Sequence, residues 1–168
     1  KMIVVKNIFI YLIPIFYLDY DERVTPQLSK EIETELESAK FSAYEIPRRN
    51  IVLGKELKHG GWWPDYVKRL YRKSALRKWV GELHEEPVFE GTLGHLKNPM
   101  IHEKENNLSD MVKKTNEWSE IEAKLLFDVG HPKMSWWRFF RIMSFEFWDR
   151  FVMKLAFLDG TEGVIYGI

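Results

Sequence analysis

The sequence predicts a mixed α and β fold, in which strands and one helix come first and two helices follow. An apolar run rich in Ile, Val, Phe and Tyr ends at Asp19, and this composition is typical of buried strands. Between Ser42 and His102, short alternating segments are interrupted by glycines and prolines, as in a series of strands. After Ser109 the apolar residues recur at helical spacing. The class is therefore α/β with a helical C-terminal part.

The first strands and the first helix have clear local signals. Ile8 to Leu18 predicts one or two buried strands, because this run contains Pro14 and is too short to cross a bilayer of about 30 Å. A hairpin inserted in a membrane is the alternative. Thr25-Pro26 predicts the start of a helix that runs to about Ser38, since Thr is a favoured N-cap and Pro a favoured first helical residue.

The middle of the chain is predicted to be extended. Ser42 to Leu53 alternates, and Pro47 within it predicts an edge strand or a bend. Lys58 to Asp65 predicts a loop, because Gly and Pro break both regular patterns there. Further short strands are predicted at 67–72, 79–83, 88–96 and 100–102.

Two helices are predicted in the last third. The first runs from Ser109 to Gly130, where Gly and the following Pro stop it. The second is capped by Ser135 and continues through a strongly aromatic stretch to Asp159-Gly160.

Composition narrows the class of protein. Lys plus Arg and Asp plus Glu both number 25, so the formal net charge is zero, which argues against a nucleic-acid partner. The chain has no cysteine, which excludes disulfides and thiolate metal sites and fits a reducing compartment. The chain has seven Trp, seven Tyr and eleven Phe, and most of the Trp and Phe lie in the last third.

An acidic pair follows the first apolar run. Asp19 and Asp21 would lie on the same side of an extended chain, and their oxygens suit Mg²⁺ or Mn²⁺, which join carboxylates to phosphate. An acidic pair at the end of a strand is more often a solvated turn. Both interpretations are open on these residues alone.

Four segments follow one another in the order YLDYDERVTPQL, YEIPRRNIVLGKELKHGGWWPDYVKRLYRK, ELHEEP and HLKNPMIHE. This order resembles glycosyltransferase family 2, in particular its bacterial branch that includes lipopolysaccharide-core glucosyltransferases. The likeness extends from about Tyr17 to Gly160. It implies a GT-A fold, a nucleotide-sugar donor such as a UDP-sugar, a glycan or lipid-linked acceptor, and transfer with inversion.

The resemblance also implies roles for individual residues. It would place Asp21 on Mg²⁺ or Mn²⁺ and Asp19 on the ribose or sugar of the donor. His102 would supply a further metal ligand, with capping of a strand as the alternative. Glu85 would act as general base for the acceptor hydroxyl, and Glu86 is the alternative base.

Several further residues are expected to contact the substrates. Aromatic faces stack on sugar rings and glycines let a backbone approach closely. We therefore expect acceptor or sugar contacts at His59, Trp63, Asp65 and His84. Arg69 is expected to contact the donor phosphates. Packing in the core for the tryptophan and ordinary ion pairing for the arginine are the alternatives.

The resemblance also predicts the domain organisation. Family members place a nucleotide-binding βαβ half before the acidic pair, and the residues before Tyr17 do not resemble it. We therefore expect residues 1–105 to correspond to the C-terminal half of a GT-A domain and residues 106–168 to a helical extension. The alternative function is that of a truncated, non-catalytic remnant or a subunit of a split enzyme, which binds a partner fragment or a membrane.

The last helix suggests a place in the cell. Arg138, Arg141, Arg150 and Lys154 stand among Trp, Phe, Ile and Met, a combination typical of helices at a bilayer interface. Packing against the catalytic core is the alternative. The sequence thus predicts a cytoplasmic protein with peripheral contact to the inner face of the membrane.

Overall fold

A computed structural model describes residues 14–38, 40–81, 86–104 and 106–167. Its elements in chain order are β1 (Pro14–Phe16), β2 (Glu22–Arg23), α1 (Pro26–Ser38), β3 (Ala43–Val52), β4 (Lys55–Leu57), β5 (Asp65–Arg72), β6 (Leu76–Val80), β7 (Glu86–Phe89), β8 (Leu93–His95), β9 (Met100–Glu103), α2 (Leu108–Asp128), α3 (Trp136–Phe147) and α4 (Gly160–Gly167). The mixed α and β class predicted from the sequence is confirmed.

The chain forms two compact units. One contains the described residues of Lys1–Arg49 and Pro64–Glu103, and the other those of Asn50–Trp63 and Lys104–Ile168. The segment Asn50–Trp63, which the sequence assigned to a domain of residues 1–105, thus belongs with the helical part. The identification of these units with half of a GT-A domain and an extension stays a prediction.

The first unit is built on a sheet with the strand order β1–β5–β3–β9–β2. β5 and β1 are antiparallel neighbours, whereas β8 pairs with β3 in parallel. Pro14 lies in β1, at one end of the described sheet, which is where proline is tolerated. Pro47 was expected to mark an edge or a bend, but it lies within the central strand β3, opposite Tyr66 of β5. That part of the prediction is wrong, because β3 lies between β5 and β9 and continues past Pro47 to Val52.

The helix α1 begins as predicted. The Thr25 hydroxyl accepts a hydrogen bond from the Leu28 N–H at 3.2 Å, which caps the helix before Pro26. Leu28 and Ile32 face the sheet and join a buried cluster of apolar side chains. That cluster comprises Phe16, Leu28, Ile32, Tyr44, Ile46, Leu70, Leu96 and Met100. This cluster holds together the strands of the first unit that carry Arg69 and His102.

The short strands predicted over 88–96 are β7 and β8, and the chain turns between them at Gly91 as expected, whereas Gly94 lies within β8. Gly91 has a φ of +104°, and a Cβ there would lie 2.1 Å from the Ser42 hydroxyl oxygen. Both the left-handed backbone and the close approach require glycine. β7 forms a separate two-stranded sheet with β6.

In the second unit, β4 forms a hairpin with the last residues of β3, and helices follow. α2 is capped by the Asn107 side chain, which accepts from the Asp110 N–H at 2.9 Å. Ser135 caps α3 as predicted, by accepting from the Arg138 N–H at 3.3 Å. The loop predicted over Lys58–Asp65 is present over residues 58–64, but Asp65 already begins β5.

The single helix predicted from Ser135 to Leu158 is wrong. α3 ends at Phe147 and continues as a π-helical turn, Trp148–Met153. Leu155 then adopts a left-handed backbone with φ +55°, and a 3-10 turn, Ala156–Asp159, follows. Gly160, which was expected to end the helix, instead begins α4.

Within the described residues, we find no helix with both the length and the apolar character needed to cross a bilayer.

Candidate functional site

The acidic segment comprises residues 19–22. It connects β1 to β2, whose first residue is Glu22, and it contains a turn. Tyr20 and Asp21 form a turn, and the Glu22 N–H donates to the Asp19 carbonyl at 3.2 Å. Tyr20 is at the tip, with 87% of its surface exposed. The expectation that Asp19 and Asp21 share one side of an extended strand is therefore wrong, and each carboxylate has its own partner.

Asp19 is held by an arginine from β5. β1 and β5 are in register from Pro14 to Phe16, and the Tyr17 N–H donates to the Arg69 carbonyl at 2.9 Å. This pairing brings the Arg69 guanidinium over the Tyr17 ring, 5.5 Å from its centroid. Arg69 Nη2 then donates to Asp19 Oδ2 at 2.5 Å. The predicted residues Asp19 and Arg69 are thus brought together.

Glu22 is the centre of this charge cluster, and the sequence did not single it out as a site residue. Its side chain is fully buried and accepts from Arg69 Nη2 at 2.7 Å. Arg48 Nη1 lies 3.6 Å from the same carboxylate, and the Asp19 N–H donates to its other oxygen at 3.1 Å. Burial alone would lower the pKa of Arg69, but the hydrogen bond and charge of Glu22, with the charge of Asp19, raise it above its ordinary value.

Asp65 belongs to the same part of the first unit. Arg48 of β3 donates to Asp65 Oδ2 from Nε at 2.9 Å and from Nη2 at 2.7 Å. The two residues are opposite each other in the β3–β5 register. Asp65, an expected acceptor contact, therefore has an arginine partner inside the sheet.

Asp21 and His102 are brought together by the pairing of β2 with β9. In that pairing Glu22 is opposite His102, and the Glu103 N–H donates to the Asp21 carbonyl at 2.8 Å. Asp21 Oδ2 lies 3.5 Å from His102 Nε2, and these side chains are only 12% and 11% exposed. Within the described ranges, no Lys or Arg side chain forms an ion pair with Asp21. The sequence predicted both residues as metal ligands, and the strand register places them side by side.

This pair fits part of the coordination shell of a divalent cation. Two ligands about 2.1 Å from one ion are about 3 Å apart when they occupy adjacent octahedral positions, so 3.5 Å needs only a small adjustment. Carboxylate oxygen and imidazole nitrogen are both ligands for Mn²⁺, whereas Mg²⁺ prefers oxygen alone. No group of three or more His, Cys, Asp or Glu residues in the described part of the chain could hold a metal. Asp21 and His102 would therefore need phosphate and water oxygens to complete the shell.

In the second unit, His59 is fixed by a carboxylate that the sequence analysis treated only as the end of a helix. Asp159 Oδ2 accepts from the Lys58 N–H at 2.8 Å and the His59 N–H at 2.6 Å, and Asp159 Oδ1 lies 2.8 Å from His59 Nδ1. Burial would raise the pKa of Asp159, but the bond to the His59 ring and the two backbone bonds lower it below its ordinary value. His59 Nε2 takes no part in this contact, and 38% of the His59 side chain is exposed.

The neighbouring glycines have a structural reason. Gly60 and Gly61 have φ of +65° and +89°, and a Cβ on Gly60 would lie 3.1 Å from the Ala156 Cβ. The Gly60 N–H also donates to the Lys154 carbonyl at 2.8 Å. The close approach that these glycines permit is therefore to the chain after α3.

The two tryptophans of this loop differ. Trp62 packs edge-on against Tyr166, with ring centroids 5.2 Å apart, and the Lys104 ammonium lies 4.7 Å from its ring. Trp63, the expected sugar contact, is 42% exposed. Packing thus accounts for Trp62, while the role of Trp63 stays a prediction.

His84 and Glu85, the expected acceptor contact and general base, lie outside the described residues. Glu86, the alternative base, is the exposed first residue of β7 and pairs with Val80.

No family model matches the chain. No solved structure matches it significantly either.

Proposed function

We propose that this chain carries the metal-binding and donor-binding part of an inverting glycosyltransferase, which transfers a hexose from a nucleoside diphosphate sugar, such as a UDP-sugar, to a glycan or lipid-linked acceptor. The observation that carries the proposal is the contact between Asp21 and His102. The two residues are distant in sequence, mostly buried, and lie beside each other at the acidic segment. The resemblance of the motifs to glycosyltransferase family 2 supplies the reaction class.

The charge balance of the acidic segment supports a cation at this position. Glu22 and Asp19 share the charge of Arg69, and Arg48 is also close to Glu22. Asp21 has an imidazole as its neighbour and, in the described part of the chain, no arginine or lysine partner. A mostly buried carboxylate without a cation is costly. Bound Mg²⁺ or Mn²⁺ would supply that charge and neutralise the leaving diphosphate.

Asp19 is positioned to bind the donor. Its Oδ2 is held by Arg69, yet 41% of its side chain is exposed, so the carboxylate is oriented and still reachable. We propose that it accepts a hydrogen bond from a hydroxyl of the ribose or sugar. Arg69 positions Asp19, with its charge shared between two carboxylates, and its contact with the donor phosphates stays a prediction.

The acceptor side rests on the family resemblance. Glu85 is proposed as the base that takes the proton of the attacking hydroxyl, with His84 nearby in sequence. His59 is proposed to contact a sugar hydroxyl through Nε2, which takes no part in the bond between Nδ1 and Asp159, and 38% of the His59 side chain is exposed. Trp63 offers an exposed ring for stacking on a sugar, whereas Asp65 would have to share its charge with Arg48.

A nucleotide-sugar donor and the absence of cysteine both fit a reducing, cytoplasmic location. We propose peripheral contact with the inner face of the membrane, where a lipid-linked acceptor would be presented. The neutral overall charge gives no reason to propose a nucleic-acid partner.

A second candidate function is binding without catalysis, as a subunit that joins a partner fragment or a membrane. The exposed aromatic side chains of α3 favour it. In that case the nucleotide-binding half would come from the partner.

Calorimetric titration with Mn²⁺, alone and with UDP, separates these candidates. We expect binding of Mn²⁺ that strengthens with UDP, and a loss of at least about tenfold in Asp21→Asn and in His102→Ala, since each removes one of two protein ligands. Glu103→Gln, next to His102 but with its side chain half exposed in a pair with Arg23, is the matched control and should bind normally. Unchanged Mn²⁺ affinity in Asp21→Asn would refute the metal site. Absence of any heat with Mn²⁺ and UDP would support the non-catalytic alternative.

A further inference from the structure

The helix α3 exposes a continuous row of large apolar side chains. Trp136, Phe140, Met143 and Phe147 are spaced i, i+4, i+7 and i+11 and therefore lie on one face of the helix. All of them are exposed, from 42% for Met143 to 80% for Trp136. Trp136 and Phe140 stack on each other, with ring centroids 6.2 Å apart. We call this row, together with the flanking residues Trp137 and Trp148, the aromatic face.

The aromatic face is as large as the largest apolar patch found on a typical monomer. Trp137 and Trp148 add two further rings, 77% and 58% exposed. Side chains of this size bury about 150–250 Å² each when covered, so the six together expose on the order of 600 Å² of apolar surface. The largest apolar patch on a typical monomer is about 300–600 Å², and such patches mark protein or membrane contacts.

The charge around the aromatic face indicates whether its partner is a protein or a membrane. The segment 131–154 contains five Lys or Arg residues and two Asp or Glu residues, a net charge of +3 by count, in a chain whose total is zero. The two anions are both paired within the segment, since Glu146 accepts from Arg150 at 3.2 Å and Asp149 from Lys154 at 2.6 Å. By contrast α2, over 108–128, has three cations and five anions, a net charge of −2. The segment that carries the aromatic face is therefore positively charged, whereas the helix α2 before it is negatively charged.

One cation lies beside the aromatic face. Arg141 is spaced i+4 from Trp137 and i−7 from Trp148, so it lies along the same edge of the helix. Within the described residues it forms no ion pair with a protein carboxylate. Arg138 lies further around the helix from the aromatic face than Arg141. It donates to the Pro132 carbonyl at 2.9 Å and, among the described residues, it has no carboxylate partner. Arg141 is therefore available for anionic groups outside the chain, whereas Arg138 also lies 3.2 Å from the His131 ring and would bind such a group with its remaining donors.

We propose that α3 lies in the plane of an anionic bilayer, with the rings of the aromatic face at the boundary between headgroups and acyl chains and with Arg141 and Arg138 on lipid phosphates. Trp in particular is enriched at this depth, and a helix with exposed aromatic side chains and basic residues among them is typical of interfacial binding. Phe139, Ile142 and Phe145 of α3 are exposed as well, outside the aromatic face. A second copy of the chain is a poorer occupant, because a symmetric contact would bring two positively charged segments together. The binding itself is independent of catalysis, and only its purpose, access to a lipid-linked acceptor, rests on the proposed function.

Co-sedimentation of the full chain with vesicles tests the proposal. We expect binding to vesicles of phosphatidylcholine with phosphatidylglycerol, a blue shift of tryptophan fluorescence, and much weaker binding to phosphatidylcholine alone. The double substitution Trp136→Ser with Phe140→Ser should weaken binding at least tenfold. Arg141→Gln should weaken it about fivefold, the effect of one cation near an anionic surface.

The matched control is Phe127→Ser on the acidic helix α2, since Phe127 is 80% exposed, as Trp136 is. Its binding should equal that of the unaltered chain, and circular dichroism should be the same for all variants. Equal loss in the control, equal binding to neutral vesicles, or no binding by a folded chain would overturn the proposal. So would light scattering that shows a dimer dissociated by the double substitution.

The outcome is separable from that of the proposed function. The substitution Asp21→Asn should leave vesicle binding unchanged, and the double substitution on α3 should leave Mn²⁺ binding unchanged.

Discussion

Replacing Glu22 with glutamine tests whether the acidic segment is held in place by a buried charge. Glutamine has nearly the same shape, so the change removes the negative charge without leaving a cavity. The carboxylate that is lost accepts from Arg69 Nη2 at 2.7 Å and from the Asp19 N–H at 3.1 Å, and it lies 3.6 Å from Arg48 Nη1. The substitution therefore affects both arginines and the backbone of the segment at once.

The expected cost follows from what each partner retains. Removing one member of a fully buried ion pair costs about 3–5 kcal/mol, because the other charge is left without compensation. Here Arg69 keeps Asp19 and Arg48 keeps Asp65, and the glutamine carbonyl can still accept one hydrogen bond. We therefore expect a loss of about 2–4 kcal/mol in the free energy of unfolding of the first unit.

Urea-induced unfolding followed by circular dichroism measures this loss. Glu103→Gln is the control, because the pair of Glu103 with Arg23 spans 3.5 Å and both side chains are more than half exposed, so it should cost less than about 1 kcal/mol. A loss in Glu22→Gln no larger than that of the control would refute the view that a buried carboxylate organises the segment. A normal free energy of unfolding with lost Mn²⁺ binding would instead assign Glu22 to the metal shell.

Three further predictions concern the two units separately. Leu28→Ala should lower the free energy of unfolding by about 2–5 kcal/mol in urea, since Leu28 is fully buried between α1 and the sheet. Asp159→Ala should cost about 2–4 kcal/mol, because three donors lose their acceptor. The pKa of Asp159 is lowered in the folded chain. Its contribution to the free energy of unfolding is therefore present above the ordinary aspartate value of 3.8 and is lost as the pH falls through the lower folded value. Thermal unfolding below pH 4 should show this loss in the unaltered chain and not in Asp159→Ala. Gly60→Ala should destabilise more than Gly130→Ala, since both have positive φ but only Gly60 faces a neighbouring methyl group, and equal losses would show that backbone strain alone decides.

Local signals in the sequence were sufficient for the elements whose ends depend on their own residues. Thr25 caps α1 and Ser135 caps α3 as expected, because a cap is a contact within one turn. The break in the helical path at Leu155, where the backbone is left-handed, could not be predicted in the same way. The stretch from Trp136 to Leu158 contains no Gly or Pro, and the break coincides with contacts that Lys154 and Asp159 make to the loop containing His59. Those contacts are distant in sequence, and they override the helical pattern.

The site was predictable in its residue types and not in its partners. Spacing drew attention to Asp19 and Asp21, yet it could not show that β5 supplies Arg69 to one and β9 supplies His102 to the other. Both assignments follow from strand register, which is set by burial across the sheet. The role of Glu22 could not be predicted, because the sequence of a run of acidic residues does not show which side chain will be buried.

The three carboxylates of the acidic segment therefore have three different environments, and the difference bears on function. Glu22 is buried and compensated by arginine, and Asp19 is compensated but accessible. A merely solvated turn would leave all three carboxylates in water, whereas here the Glu22 side chain is fully buried and the Asp21 side chain is only 12% exposed. Asp21 is the carboxylate whose charge is balanced by no arginine or lysine of the described residues, and its neighbour is an imidazole, which is a metal ligand when neutral. Asp19 and Glu22 each lie against an arginine, whereas Asp21 lies beside His102, and this is the position that a divalent cation would complete.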